Sequence, residues 1–337
     1  MKLTVLGAYG PYPAAGGACA GYLLEHEGFA VLIDCGNGVL SRLQQFIKVS
    51  VLRAVIVSHL HSDHFSDLFI LRYALQFGWE KGEIERPLPV FAPADPAAEY
   101  VRLPYKNVYA VEAIAEGRAL QLGPFTFTFL KTKHAIPCYA VAVYLAGEKI
   151  MVYSADTEYF PALSDFARGA TLFLCEANFL EEDLQKGASN HLSARQAATL
   201  AQEAGVEALL LTHLLPFRNP QLYLQEAARV FKNVEIAREG MVYDLGLPGA
   251  TDIPAGDSDR DYPEKWRQLT VKTDSVTASI VAGRLEEEGI PVYLKKDEAA
   301  GSIYGLTVGP LANIRVLVPP SKLEQARRLL EEIEGTH

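Results

Sequence analysis

The sequence is poor in the residues that build disulfide frameworks and nucleic-acid surfaces. It has four cysteines in 337 residues, and no two of them form a C-x-x-C pair. We therefore expect reduced, mostly buried thiols. Acidic side chains outnumber basic ones by 41 to 31, which gives a formal net charge of −10. This balance disfavours a broad, non-specific grip on nucleic-acid phosphates, which needs clustered lysine and arginine, but it leaves room for a local basic groove.

Long apolar runs are also missing. No stretch approaches the roughly 18–20 apolar residues that are needed to cross a bilayer. The first ten residues, MKLTVLGAYG, lack the basic-then-apolar layout of a signal peptide. The glycines do not follow the Walker pattern of a phosphate loop. We therefore expect a cytoplasmic protein that has no membrane contacts.

The distribution of apolar residues predicts two domains joined by a linker. Residues 1–247 contain many short apolar runs, bounded by turn residues and interspersed with helical patterns. This order predicts a layered α/β protein with two sheets covered by helices. Residues 248–265 are rich in Pro, Gly, Asp and Ser, as linkers are. Residues 266–337 predict a small α/β domain of three strands and two helices that is able to fold alone.

Histidine is scarce, yet three of the eight histidines lie within six residues. SHLHSDH, from Ser58 to His64, follows the apolar run AVIVS, which predicts a buried strand. If that strand continues, His59, His61 and Asp63 share one face, and a turn brings His64 to the same cavity. Imidazole nitrogens and carboxylate oxygens are ligands of Zn²⁺. The cluster therefore predicts a metal site.

Three more candidate ligands follow apolar, strand-like runs elsewhere in the chain. His134 follows FTFTFLKTK, Asp156 follows KIMVYSA and His213 follows EALLLT. Strands that end at the same edge of the sheets would bring these side chains together. The segment between His134 and Asp156 predicts a β-hairpin that turns at Ala146-Gly147. Together these runs predict a metal centre built at several separate strand ends.

The order of these motifs resembles the metallo-β-lactamase superfamily, and within it the RNase Z-like branch. The likeness covers roughly residues 1–247 and includes LTVLGAYGPYP, LIDCGNG and NHLSARQAATLA. It implies an αββα sandwich (α/β, of the α+β type) with two zinc ions, or manganese, in a cleft at the sheet edges. It also implies seven ligands: His59, His61 and His134 on one metal, Asp63, His64 and His213 on the other, and Asp156 between them. A hydroxide held between the metals would be the nucleophile, and Asp63 would orient it or deprotonate the water.

Two further residues gain roles from the resemblance. Asp34 follows the strand FAVLI and would support ligand histidines, since a metal-bound histidine usually donates its other N–H to such a partner. The alternative is a plain turn aspartate. His191 lies near the predicted start of a helix, where free N–H groups attract anions, so it would face a phosphate and protonate a leaving oxygen. The alternative is a capping or loop histidine, and Asn190 stands where the family has glycine.

One feature of RNase Z is missing from the sequence. RNase Z grips tRNA with a long basic arm inserted before the bridging aspartate, whereas only residues 135–155 separate His134 from Asp156 here. We therefore expect a small-molecule or short nucleic-acid substrate and no long-RNA arm. Residues 266–337 resemble small ferredoxin-like, signal-transducing-type domains of bacterial proteins. Association, effector binding, covering of the active-site mouth and a purely structural role stay open for them, as does a homodimer.

Three functions fit these observations. The first is a dinuclear zinc phosphodiesterase acting on a nucleotide, a cyclic nucleotide or a short RNA, with His191 assisting the leaving group. The second is a zinc hydrolase of the same fold acting on a carboxylic ester, lactone or thioester. The third is a regulatory binding protein on the same scaffold, against which the intact ligand set argues. His191 favours the phosphodiesterase.

Overall fold

The computed structural model describes residues 1–246, 266–272, 281, 284–285, 288–290, 292–296 and 314–334. Contacts divide the chain into two compact units, Met1–Ser258 and Asp259–His337. The predicted linker, residues 248–265, lies outside the described residues. Within the described part of the chain, no helix has both the length and the apolar character that a membrane crossing requires.

Two seven-stranded sheets form the centre of the first unit. The first sheet contains β1 (Lys2–Gly7), β2 (Gly21–His26), β3 (Phe29–Ile33), β4 (Leu52–Ile56), β5 (Leu88–Ala92), β6 (Tyr109–Ala113) and β14 (Val242–Asp244). The second contains β7 (Ala119–Leu122), β8 (Phe125–Lys131), β9 (Tyr139–Leu145), β10 (Glu148–Tyr153), β11 (Leu172–Glu176), β12 (Ala208–Thr212) and β13 (Val234–Ile236). Their spatial orders are β14-β1-β2-β3-β4-β5-β6 and β13-β12-β11-β10-β9-β8-β7.

Both sheets are mixed, and each has a parallel half. Strands β3 to β6 are parallel neighbours in the first sheet, and β10 to β13 are parallel neighbours in the second. The other neighbours are antiparallel. Parallel strands end at the same edge of their sheet, so residues that follow β3, β4, β10, β11 and β12 are placed to meet there.

Helices cover the outer face of each sheet. They are α1 (Val39–Leu43), α2 (Ser62–Phe65), α3 (Leu68–Glu80), α4 (Ala97–Tyr100), α5 (Pro161–Ala167), α6 (Glu181–Gln185), α7 (Ala194–Ala204) and α8 (Pro220–Ala227), with a 3₁₀ turn at Val49–Val51. A central core lies between the sheets, where β8 alternates and buries Phe125, Phe127 and Phe129. Two further cores lie between helices and sheets. The predicted αββα sandwich is confirmed.

The second unit is small. Its described part has strands β15 (Arg267–Lys272), β16 (Tyr293–Lys296) and β17 (Ile314–Val318), a 3₁₀ turn at Pro320–Lys322 and helix α9 (Leu323–Glu334). The strands are antiparallel in the order β15-β17-β16. Val316, Val318 and Ala326 belong to a core of its own. Most of the helix predicted after Thr273 lies outside the described residues.

One prediction of local structure is confirmed and another is wrong. The hairpin turn at Ala146-Gly147 is confirmed, and both residues have positive φ (52° and 87°), as such turns require. The segment SDLFILRYALQF predicts a helix with Ser66 as its N-cap, and this prediction is wrong, because α3 begins at Leu68 with Asp67 in the cap position. The chain first makes the short helix α2, so Ser66 closes that turn, and its buried hydroxyl has no hydrogen bond among the described residues.

Candidate metal centre

The histidine cluster lies after the end of strand β4, outside the sheet. Strand β4 ends at Ile56, and His59 and His61 lie in the following loop. Asp63 and His64 lie in α2, where the His64 amide donates to the His61 carbonyl at 2.9 Å. The strand therefore ends before the cluster and does not continue to Asp63. A helical turn, and not strand alternation, directs Asp63 and His64 to the cleft.

The first group contains three imidazoles, from His59, His61 and His134. His59 Nε2 lies 3.1 Å from His61 Nδ1, and His134 Nε2 lies 3.0 Å from the same His61 atom. His134 comes from the loop after β8 in the second sheet, as its position after FTFTFLKTK predicts. The three ring nitrogens therefore converge from both sheets on one point.

The second group contains Asp63, His64 and His213. His213 directly follows β12, and its Nε2 lies 3.2 Å from His64 Nε2 and 3.1 Å from Asp63 Oδ2. His64 Nε2 lies 3.6 Å from the same Asp63 oxygen. Two imidazoles and one carboxylate thus form a second convergent set.

Asp156 lies between the two groups. Its Oδ2 is 3.5 Å from His59 Nε2 and 3.8 Å from His134 Nε2 in the first group, and 3.5 Å from His213 Nε2 in the second. Its Oδ1 is 3.4 Å from His64 Nε2. The carboxylate is buried. The structure therefore brings all seven predicted ligand residues together, with the predicted bridging residue in the middle.

The donor atoms fit two divalent metal ions. Ligands at about 2.05 Å around a tetrahedral zinc lie about 3.3 Å from one another, and most of the separations in both groups lie near that value. Asp156 Oδ1 is buried and has no hydrogen-bond partner among the described residues, which is costly unless a cation compensates it. Imidazole and carboxylate are both zinc ligands.

Asp34 aligns histidines of both groups from beneath. Its Oδ2 accepts hydrogen bonds from His64 Nδ1 at 2.8 Å, from Ser58 Oγ at 2.9 Å and from the Tyr153 hydroxyl at 2.9 Å. Because Ser58 Oγ donates to Asp34, it accepts from His59 Nδ1 at 3.1 Å. Both imidazoles therefore carry a proton on Nδ1 and direct Nε2, the atom that can bind a metal, towards the cleft. The predicted supporting position of Asp34 beneath the ligands is where the structure places it.

His134 and His213 have supports of a different kind. His134 Nδ1 donates to the Asn190 carbonyl at 3.0 Å. The Asn178 carboxamide donates to the His213 carbonyl at 2.8 Å and to the Gly10 carbonyl at 3.2 Å. A side chain at Gly10 would meet the His213 ring, since its Cβ would lie 2.0 Å from Nε2. Gly10 is therefore required for the position of His213.

Several turns at the centre have strained backbone. Asp34, Ala155 and His213 have φ of 56°, 50° and 57°, in the left-handed region that side-chain-bearing residues seldom adopt. Each follows the end of a strand, β3, β10 or β12. Such strain costs about 1–3 kcal/mol per residue and persists where the surroundings enforce it. It allows the chain to reverse at once, so that the side chains meet at the sheet edge.

His191 lies beside the centre and is held by Glu176. Its Nδ1 donates to Glu176 Oε1 at 3.0 Å and lies 3.9 Å from Asp156 Oδ2, while its ring stacks on His213 at 5.3 Å. The expected anion site at a helix start is wrong. Helix α7 begins only at Ala194, and its first amides donate to the Ser193 side chain and to neighbouring oxygens.

Known proteins match this chain over the same architecture. A family model described as "Beta-lactamase superfamily domain" matches residues 30–214. The "Probable metallo-hydrolase YhfI" of Bacillus subtilis is 38% identical over 246 residues, which is 72% of this chain and all of that protein. The chain belongs to the β-lactamase superfamily. Within it, the chain is a metallo-hydrolase of the β-lactamase fold with RNase Z-like neighbours.

Other proteins are similar to this chain in sequence or in fold. The crystal structure of the Bacillus subtilis protein has a TM-score of 0.69 and covers 72% of this chain and 98% of its own. The ribonuclease Z of Methanopyrus kandleri is 27% identical and covers 72% of this chain and 97% of its own length. A diphosphatase of the PhnP family shares the fold at 17% identity, with a TM-score of 0.58, 73% of this chain and 98% of its own.

The second unit matches a separate family. A model described as "Putative prokaryotic signal transducing protein" matches residues 266–334. This agrees with the resemblance that the sequence suggests for the C-terminal part. All candidate ligands of this metallo-hydrolase lie in the first unit.

The electrostatics of the two groups differ. Burial lowers the pKa of the first-group imidazoles, most strongly that of His59, where the neighbouring His64 adds to the effect. Burial also lowers the pKa of His64, but the carboxylates of Asp156, Asp63 and Asp34 raise it well above its usual range. Without metal, the proton of the centre therefore lies on His64.

Burial and neighbouring charges also shift the pKa values of Asp156 and His191. Burial raises the pKa of Asp156, but His213, His64 and His59 hold it well below its usual range. Burial lowers the pKa of His191, but the charge and hydrogen bond of Glu176 raise it to about 9. Without metal, His191 is therefore a cation at neutral pH and holds a proton that it can transfer.

Apart from Asp34, the sequence does not reveal the residues that hold the ligands and His191. Glu176, Asn178 and Tyr153 have no metal-ligand spacing, and their contacts join distant parts of the chain. Glu176 does carry a signal, since it is the only charged residue in the otherwise apolar strand β11 (Leu172–Glu176), whose residues are all buried. A carboxylate at the end of a buried strand needs a partner, and its position matches that of Asp156 and His213 after neighbouring strands.

Proposed function

We propose that the chain is a dinuclear zinc phosphodiesterase that acts on a nucleotide, a cyclic nucleotide or a short RNA. The observation that carries the proposal is the position of His191, which Glu176 holds beside two ligand groups that share Asp156. Hydrolysis of a phosphodiester needs a nucleophile, neutralisation of the phosphate charge and a proton for the leaving oxygen. The arrangement offers residues for each task.

Residues of both groups have defined tasks in this proposal. When bound, two divalent cations lower the pKa of a coordinated water towards neutrality and neutralise phosphate charge. His59, His61, His134, Asp63, His64, His213 and Asp156 would hold the two ions. Manganese would suit the same donors, although with less preference for nitrogen.

Asp63 and His191 handle protons in the proposed reaction. The Asp63 side chain is 11% exposed and so meets the cleft, where it accepts a proton from the attacking water or orients that water. His191 is 18% exposed, and its Nδ1 is occupied by Glu176. Its Nε2 therefore delivers the proton to the leaving oxygen.

The absence of a long insertion points to a short substrate. Strands β9 and β10 and their tight turn occupy the segment between His134 and Asp156, where RNase Z carries its tRNA arm. One relative is named ribonuclease Z, which supports phosphodiester chemistry. The proposed substrate is therefore a nucleotide-sized phosphodiester in the cytoplasm.

Elemental analysis tests the metal part of the proposal. Purified full-length protein should contain close to two zinc or manganese ions per chain, and removal by a chelator should abolish hydrolysis that returns when zinc is added. A protein that takes up no divalent metal at neutral pH would contradict this proposal and favour a regulatory role for the scaffold.

A substrate pair tests the phosphate part. The zinc-loaded protein should cleave bis(p-nitrophenyl) phosphate faster than p-nitrophenyl acetate. His191→Ala should lower phosphodiester cleavage by about 100-fold with two metals retained, in the range of one general acid. His26→Ala, a change in a histidine outside both groups, should leave the rate unchanged. Faster ester cleavage that is indifferent to His191→Ala would support a zinc esterase, lactonase or thioesterase instead.

A further inference from the structure

A cavity of about 330 Å³ opens beside His191. Its lining includes His191, Gln196, Glu158, Tyr159 and Ser189. Its volume lies in the range of small-ligand pockets. Nothing in the proposed metal chemistry uses this space.

His191 lies between the metal centre and the cavity. Its imidazole stacks on His213 and approaches Asp156, so one edge of the ring belongs to the metal centre. The same side chain lines the cavity. Because His191 borders both the metal centre and the cavity, a substrate group on the His191 side of the centre extends past His191 into the cavity.

The lining favours an uncharged ring with hydrogen-bond donors. Glu158 Oε1 accepts from the Asn190 amide at 2.8 Å, which fixes the carboxylate at the wall. The Tyr159 hydroxyl donates to Glu203 at 3.1 Å, which fixes its ring. Among the described residues that line the cavity, none is lysine or arginine. A carboxylate without a lining cation repels a phosphate, and an immobilised aromatic ring stacks well with a base.

We propose that this cavity binds the leaving half of the substrate and that this half is a single nucleoside without a further phosphate. The inference rests on the proposed phosphodiesterase function and narrows it. A dinucleoside monophosphate fits, because its leaving half carries no further phosphate. A cyclic nucleotide also fits: its single nucleoside carries the leaving oxygen and stays attached to the phosphate after ring opening. An RNA chain that continues past the leaving oxygen does not fit.

Three dinucleotides test the inference on the zinc-loaded, full-length protein. The substrates are ApA, pApA and ApAp, which share one internal phosphodiester, and the products identify the leaving half. A terminal phosphate on that half should raise KM by about tenfold through repulsion by Glu158. A terminal phosphate on the other half should change KM by less than about twofold.

Variants tie the effect to the cavity. Glu158→Gln should reduce the penalty for the terminal phosphate, whereas Glu182→Gln, a change in an exposed acid outside the lining, should preserve it. Tyr159→Ala should raise KM for ApA more than Tyr159→Phe, because only the second retains the ring. The metal content of each variant is measured to verify that the centre is intact.

The outcomes separate this inference from the function on which it rests. If bis(p-nitrophenyl) phosphate is not cleaved, the phosphodiesterase proposal fails. If that compound is cleaved but the three dinucleotides have equal KM, or ApA is not cleaved, only the nucleoside inference fails. An unchanged phosphate penalty in Glu158→Gln would also overturn it.

Discussion

The two ligand groups share Asp156 but differ in charge and in how the fold holds them. The first group has three imidazoles, and its His134 is fixed by a backbone carbonyl. The second group has two imidazoles and the carboxylate of Asp63. Asp34 holds His64 directly but reaches His59 only through Ser58.

This difference predicts unequal metal binding. A carboxylate ligand adds a negative charge that attracts a divalent cation, and direct support of a ligand histidine raises metal affinity by about 10–100-fold. The second group should therefore bind its metal more tightly than the first. The more labile metal should be that of His59, His61 and His134.

Asp156→Asn should have the largest effect because it removes the charge that both groups share. We expect fewer than one metal per chain and a loss of phosphodiester cleavage of about 1,000-fold, since the metals supply several kcal/mol of transition-state stabilisation. Metal analysis and steady-state rates measure this. An unaltered circular dichroism spectrum checks the fold, and two retained metals would show that Asp156 does not join the groups.

Gly10→Ala should affect the second group alone. The new Cβ would lie 2.0 Å from His213 Nε2, so the imidazole must leave its position. We expect one metal per chain and at least about 100-fold lower activity. Gly17→Ala lies in the same loop but contacts Tyr9 and Glu239, not His213, and should retain both metals. Equal losses of metal in Gly10→Ala and Gly17→Ala would show that the position of His213 does not control metal binding by the second group.

Tyr153→Phe should have an intermediate effect. It removes one hydrogen bond to Asp34 Oδ2, the oxygen that holds His64, and we expect about tenfold weaker binding of the second-group metal. Tyr109→Phe is the matched control, because that buried hydroxyl donates to the Leu68 carbonyl and not to Asp34. Competition with a chelating dye measures both affinities. A larger effect in Tyr109→Phe would contradict a specific role for Tyr153.

The pH dependence of metal uptake should show the smallest contrast. The pKa of His64 is raised, so at neutral pH the second group must release a proton to bind metal. Its affinity should fall by about tenfold for each pH unit below that pKa. The pKa values of the first-group imidazoles are lowered, so they are already neutral and their affinity should change little near pH 7.

Metal titrations in buffers that bind protons with different heats would measure this contrast. Proton release should accompany filling of the second group and not of the first. Equal proton release from the two groups would contradict the predicted difference in the pKa values of their histidines.

The sequence by itself determined the parts that depend on local pattern. Apolar runs located the strands before His134, Asp156 and His213, and a two-residue turn located the β9–β10 hairpin. The order of ligand types indicated the family, and the similarity to known proteins confirms it. These features are encoded by neighbouring residues, and so they are readable without the fold.

Only the tertiary structure decided how the centre is held. Glu176 meets His191, and Asp34 meets Tyr153, 119 positions away, because separate strands end at one sheet edge. The start of α3 at Leu68 and the turn of α2 were likewise set by packing and not by a capping residue. Such contacts join residues that are distant in sequence, so no local pattern specifies them, and they fix which imidazole nitrogen faces the cleft.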